Sequence, residues 1–202
     1  MPVSAAATAM SVIRTDEGPR QWMGRTMFDL PFPEDPFLRA ALGEAILSYR
    51  EGGVPIGSVL VHDGKIIGRG RNRRVQDGNP ILHAEMACYQ NAGRLPASAY
   101  RDCTLYSTLS PCYMCSGTTL LFGVPRVIVG ENRAITGAGQ WLRAECVSVT
   151  MLNDGACREL LQRFIREKPD IWREDIGHTG RSALRQAHDH PLSTSLTQAD
   201  RQ

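Results

Sequence analysis

The sequence predicts an α/β fold, with a mixed five-stranded sheet and helices on both faces. Three observations carry that expectation. Asp63-Gly64 between two apolar runs is a type I′ hairpin signal. After the hairpin, helical and strand patterns alternate along the chain. No apolar run approaches the length of a membrane-spanning helix, and no repeat organises the chain.

Each element has its own local reason. Asp35-Pro36 reads as N-cap and first helical residue. Phe37, Leu38, Ala41, Leu42, Ala45 and Ile46 give that helix one apolar stripe, and Gly52-Gly53 stops it. Residues 54–61 read as a strand, and 65–69 as its return. Residues 83–91 read as a helix ending at Gly93. Residues 103–108 form a strand, 112–122 a helix ending at Gly123, and 126–130 and 146–152 two further strands. Asn153 or Asp154 caps a last long helix through Glu167, which Lys168-Pro169 ends.

A chain of 202 residues suits one compact domain with tails, and it can bury a core without disulfides. Residues 1–34 read as a flexible N-terminal extension, 35–177 as the folded domain and 178–202 as a polar C-terminal tail. Met27 is an alternative start to Met1. A formal net charge of +2 gives no reason to expect a polyanionic partner. The cysteines are Cys88, Cys103, Cys112, Cys115, Cys146 and Cys157. Residues 3–13 lack the basic start and dense apolar run of a signal peptide, so a reducing, cytoplasmic setting is expected.

Two segments carry chemistry: His83-Ala84-Glu85 and Pro111-Cys112-Tyr113-Met114-Cys115. Each falls where a strand or loop should pass into a helix. Cys112 and Cys115, three residues apart, face one side of the first helical turn. A helix N-terminus favours thiolates. His83 completes a ligand set that suits Zn²⁺. Three protein ligands leave a fourth place open, as catalytic zinc sites do. Cys88 lies five residues past His83 and points elsewhere around the helix, and Cys103 has no pairing motif.

Glu85 shares the pocket without needing to bind the metal. Bound zinc can bring the pKa of water to about 7, giving a hydroxide nucleophile. The carboxylate can then carry a proton to a ring nitrogen and to a departing amine. His-x-Glu together with Pro-Cys-x-x-Cys is the general signature of zinc nucleobase deaminases, so this step is a pattern match. Either motif alone is unspecific; the pair, both opening helices in an α/β chain, is specific.

Beyond these motifs the sequence resembles the fungal-type cytosine deaminases of the cytidine deaminase-like superfamily. The likeness runs from about residue 37 to 177. It is carried by EGGVPIG at 51–57, GRGRN at 68–72, LHAE at 82–85, LYSTLSPCYMC at 105–115, the stretch 125–132 and WREDIG at 172–177. The resemblance implies a three-layer α/β/α sandwich, a homodimer, and one Zn²⁺ per subunit with a bound water or hydroxide. It implies conversion of free cytosine to uracil and ammonia, as in pyrimidine salvage. His83, Cys112 and Cys115 would hold the metal and Glu85 would shuttle protons. Asn72 would bind the pyrimidine carbonyl, assisted by the backbone amide of Ala84. The carbonyls of Ile56 and Ser110 would meet ring and amino hydrogens, Asp175 would accept from the amino group, and Trp172 would wall the pocket. Two positions depart from the family pattern. Ala84 stands where glycine is common, and Ile135 stands where an aromatic residue usually covers the substrate.

Other functions remain to be weighed. The same zinc motif would serve a deaminase of guanine, isocytosine, a pterin or a triazine. A nucleic-acid-editing deaminase, such as one acting on tRNA adenosine, needs a basic stripe or stacking platform. Arg69, Arg71, Arg73 and Arg74 form a small cluster, read here as a solvated loop edge. A zinc-stabilised interaction module would have no use for Glu85. His62, His178, His188 and His190 show no ligand spacing and read as surface residues.

Overall fold

The computed structural model describes residues 31–177. Most of the two expected tails, 1–34 and 178–202, therefore lies outside the described residues, as do His178, His188 and His190. Within 31–34, the Pro33 carbonyl accepts from Arg39 Nε at 2.9 Å, and Phe32 packs against Leu38 and its neighbours.

Helix α1 (Pro36–Arg50) starts as expected, with Asp35 Oδ1 accepting from the amides of Phe37 and Leu38 at 2.8 and 2.9 Å. Strands β1 (Gly57–His62) and β2 (Lys65–Arg71) form the hairpin. Asp63 and Gly64 take φ of 49° and 69°, the positive values that a type I′ turn demands. The first strand starts three residues later than expected. Pro55 lacks a donor for a ladder, and Ile56 N–H turns back to the Val54 carbonyl at 2.8 Å.

The rest follows as α2 (Arg74–Asp77), α3 (Ala84–Ala92), α4 (Ala97–Arg101), β3 (Thr104–Leu109), α5 (Tyr113–Phe122), β4 (Arg126–Glu131), α6 (Gly139–Ala144), β5 (Ser148–Met151), α7 (Gly155–Glu167) and α8 (Pro169–Asp175). Asp154, one of the two expected caps, accepts from Cys157 N–H at 2.8 Å. Lys168-Pro169 ends α7, as read from sequence. Pro169 then opens α8, which the sequence reading missed.

The sheet order is β2-β1-β3-β4-β5. β1 runs antiparallel to β2 and β3, whereas β3, β4 and β5 are mutually parallel. Alternation along β3 feeds both sides of the sheet. Leu105 joins Cys88, Tyr89, Val127 and Leu142 on the face of α3 and α6. Tyr106 packs on the opposite face, beside the cluster that α1 and α7 supply through Leu42, Ala45 and Leu160. The result is the three-layer α/β/α sandwich that the sequence led one to expect. No helix among the described residues is long and apolar enough to cross a membrane.

Close helix–sheet contact explains one glycine motif. A Cβ at Gly70 would stand 2.2 Å from the Cys88 amide and 2.3 Å from the Ala84 carbonyl. The side-chain-free backbone of β2 thus lets α3 settle directly on it.

Candidate active site

Two helix starts bring the expected ligands together. His83 is the N-cap of α3 and Cys112 the N-cap of α5, while Cys115 lies in the first turn of α5. Helix α5 follows β3, so the cluster sits past the carboxyl end of a parallel strand, where open α/β sheets bind ligands. Cys112 Sγ lies 3.6 Å from His83 Nδ1 and 3.7 Å from Cys115 Sγ. All three ligand atoms fall within 4.8 Å of one another.

Ordinary Zn–S and Zn–N lengths at tetrahedral angles separate two sulfurs by about 3.8 Å, and sulfur from nitrogen by about 3.6 Å. The donor set and its spacing therefore fit zinc. Cys88 and Cys103 stand outside the cluster, and Cys103 falls one residue before β3 rather than opening it. Cys88 is buried in the core, and Cys103 donates to the Ala99 carbonyl at 3.2 Å.

The electrostatics suit a cation. The Cys115 thiol beside Cys112, with His83, pulls the Cys112 thiol down to about 4 against the opposing effect of burial. Cys115 itself is raised well above the usual thiol value by Cys112 and by burial. Burial alone would lower His83, but the Cys112 sulfur and the charges of Glu85 and Asp175 raise it on balance.

Glu85 is 3 % exposed, and its Oε1 accepts from the Ser107 hydroxyl at 3.1 Å. Burial and the charge of Cys112 raise its carboxyl above the ordinary range. The sequence reading did not single out Ser107. It lies between Leu105 and Leu109 on one face of β3, and a lone hydroxyl on that apolar face was the available signal.

The expected substrate-facing residues gather at the same end. Ile56, Ala84, Leu109 and Trp172 share one buried cluster, with Ile135 packed against it. Asn72 is fully buried. Its Oδ1 accepts from Arg74 N–H at 3.1 Å and its Nδ2 donates to Asp175 Oδ1 at 3.3 Å, so it is both a turn residue and a partner of α8. The Ile56 carbonyl accepts from Asn72 N–H at 2.9 Å, which ties two of these positions together. The Ser110 hydroxyl donates to the Thr136 carbonyl at 3.0 Å, fixing the loop that carries Ile135.

The arginine cluster needs correction. Arg74 is not a solvated loop edge: its side chain is 14 % exposed and bonds Asp175 Oδ1 at 2.7 Å and Glu174 Oε1 at 2.9 Å. Arg71 pairs with Glu51, and Arg73 with Asp77. His62 is half-buried with Asp63 Oδ2 at 3.4 Å, at the other end of β1 from the strand ends that lead to the zinc ligands.

Comparison with known proteins settles the family. The cytidine and deoxycytidylate deaminase zinc-binding region matches residues 33–131. A cytosine deaminase of Candida albicans is 48% identical over 149 residues, spanning 73% of this chain and 99% of that protein. The chain belongs to this zinc-binding deaminase family. Its resident metal is zinc, and it is a zinc-dependent deaminase of the cytosine deaminase type.

More distant proteins match parts of the chain. A tRNA-specific adenosine deaminase of Streptococcus pyogenes is 42% identical over 104 residues, covering 50% of this chain and 65% of its own. A structure from a study of A-to-I editing by tRNA:A34 deaminases superposes with a TM-score of 0.52 at 30% identity, covering 62% of this chain and 98% of that one. A complex of the protein NE0047 with 8-azaguanine, 21% identical with a TM-score of 0.54 over 63% of this chain and 81% of its own, shares the fold.

Proposed function

We propose that this deaminase converts free cytosine and water to uracil and ammonia. The observation that carries this reading is the closure of the pocket by α8. Trp172 is buried against Ile56 and Ala84, and Asp175 reaches Asn72, so the site is shaped for a small ring. The 48% identity to the Candida cytosine deaminase extends over nearly all of that protein and supports the same substrate.

In this reading His83, Cys112 and Cys115 hold the zinc. When bound, the metal supplies the Lewis acidity that makes water a nucleophile near neutral pH. Glu85 takes a proton from the attacking water and gives it to the ring nitrogen. It then takes the second proton of that same oxygen, as the oxygen becomes the carbonyl, and passes it to the departing amine, which leaves as ammonia. Its raised carboxyl suits a group that must hold a proton part-way through the cycle. Asn72 and the Ala84 amide bind the pyrimidine carbonyl oxygen. The carbonyls of Ile56 and Ser110 accept from ring and amino hydrogens, and Asp175 accepts from the amino group. Trp172 and Ile135 wall the ring, with Ile135 leaving more room than an aromatic side chain would.

Residues 35–177 form the deaminase domain, with 1–34 and 178–202 as extensions. A reducing, cytoplasmic setting suits two thiolate ligands. The protein acts as a homodimer through the outer face of α3 and α5. There a cleft of about 570 Å³ is lined by Ile81, Met86, Leu121 and Phe122, with Ile81 and Leu121 exposed. None of the zinc-site residues lines that cleft, which suits a partner rather than substrate. Sedimentation at micromolar concentration tests the dimer, and a monomer there would end it.

The substrate is tested by offering zinc-loaded protein cytosine, 5-methylcytosine, isocytosine, guanine, adenine, a pterin, cytidine and tRNA, and following ammonia. Release from cytosine above the others is expected. Turnover of tRNA or a purine in preference would overturn the assignment.

A further inference from the structure

Helix α8 carries both Trp172 and Asp175, yet it is only a seven-residue segment after α7. A helix this short has little stability of its own, so its position depends on what grips it. At one end Lys168 forms the joint, donating from Nζ to the Gly52 carbonyl at 3.2 Å. In the middle the Trp172 ring is buried in the apolar cluster beside Ala84. The far end is held by the segment that follows β2, across about a hundred residues of sequence. There Arg74 Nη1 meets Asp175 Oδ1 at 2.7 Å, Arg74 Nη2 meets Glu174 Oε1 at 2.9 Å, and Asn72 Nδ2 meets the same Asp175 oxygen at 3.3 Å.

This arrangement is specific. Asp175 is 4 % exposed and Arg74 14 %, so their pair is largely withdrawn from water, whereas Glu174 is exposed. Arg74 Nε is buried with no acceptor among the described residues. A guanidinium confined at that cost does more than balance surface charge. The planar fork also fixes direction, because two separate nitrogens each hold a different carboxylate of one helix end.

We propose that Arg74 is a positioning residue for the deamination site. It latches α8 shut, and it turns the Asp175 carboxylate so that the free oxygen faces the substrate's amino group. The second part rests on the reading that Asp175 meets the substrate; the first does not. Arg74 has no part in the proton transfers, and its influence is on how tightly the ring is enclosed.

Two readouts separate these parts. Amide hydrogen exchange across residues 169–177, measured on zinc-loaded protein without substrate, reports the latch. Arg74→Gln is expected to speed exchange there about tenfold or more, with zinc content and exchange in α3 and α5 unchanged. Steady-state deamination reports the orientation. KM for cytosine is expected to rise about tenfold or more in Arg74→Gln, with kcat within about threefold. Arg74→Lys, which supplies charge without the fork, should recover only part of this. In an Asp175→Asn background, Arg74→Gln should add little further.

Unchanged exchange at 169–177 in Arg74→Gln overturns the latch. Faster exchange with unchanged KM, or fully additive effects in the double variant, overturns the orientation. Wild-type protein inactive on cytosine would end the substrate reading, while the exchange comparison would still decide the latch.

Discussion

The Ser107 hydroxyl donates to Glu85 Oε1 at 3.1 Å, and both side chains are buried. One carboxylate oxygen of the proposed proton carrier is thereby fixed from the sheet, while α3 fixes its backbone. Removing the carboxylate while keeping its shape isolates the proton transfer. Glu85→Gln is expected to retain stoichiometric zinc and melting temperature and to lose about 10²–10⁴-fold in kcat, the usual contribution of general acid–base catalysis. Metal analysis and steady-state ammonia release check this; near-normal kcat would remove Glu85 from the mechanism.

Ser107→Ala takes away the hydroxyl alone. The carboxylate keeps its place on α3 but loses its buried donor, so kcat should fall by about tenfold, the cost of one hydrogen bond to a charged group. Zinc content should not change. A variant with normal kcat would show that α3 alone aims Glu85.

Gly70 controls the seat of the helix that carries His83 and Glu85. A methyl group there would overlap the Ala84 carbonyl and the Cys88 amide. Gly70→Ala should therefore destabilise the fold by about 1–3 kcal/mol or more, in line with overpacking of a close contact. Weaker zinc retention should accompany the lower melting temperature. A fully stable variant would mean that β2 and α3 can separate freely.

Much of this site was legible in the sequence, for physical reasons that differ by residue. His83, Cys112 and Cys115 were legible because two of the three donors lie one helical turn apart and the third sits two residues before Glu85, so most of the set leaves short, local spacings. Asp35 and Asp63-Gly64 were legible because caps and tight turns are chemistry between near neighbours. Arg74 was not legible, since its partners Glu174 and Asp175 lie about a hundred residues away and sequence gives no sign of their approach. Helices α2, α4 and α6 span four to six residues, too short for a helical period to emerge. The strand expected from residue 54 looked apolar enough, but Pro55 and the turn at Ile56 keep its first three residues out of the ladder.

The cysteine pair makes a pH-dependent prediction for chelated, zinc-free protein. Cys112 is held at about 4, so it stays a thiolate as pH falls from 8 to 5 and is lost only near pH 4. An ordinary thiol near 8.5 loses most of its thiolate over that same interval. Iodoacetamide should label Cys112 at nearly constant rate from pH 8 to 5, whereas Cys115, buried and raised, should label slowly throughout. Peptide mapping reads both sites. Equal labelling of the two, or a Cys112 rate that falls tenfold per pH unit, would contradict the charge distribution.

Ile135 packs against the cluster that contains Trp172 and Ala84. Ile135→Phe should fill space above the ring and lower KM for cytosine several-fold, while reducing turnover of 5-methylcytosine relative to cytosine. A relative preference unchanged by the substitution would place Ile135 outside the substrate pocket.

The central claim is that zinc at His83, Cys112 and Cys115, with Glu85 beside it, deaminates a free pyrimidine. The most direct test is a time course of uracil and ammonia from cytosine, run with zinc-loaded protein, chelated protein and chelated protein returned to zinc. The account predicts equal amounts of uracil and ammonia from the loaded protein, none after chelation, and recovery on adding zinc back. Loaded protein that makes no uracil, or chelated protein that makes as much, would contradict it.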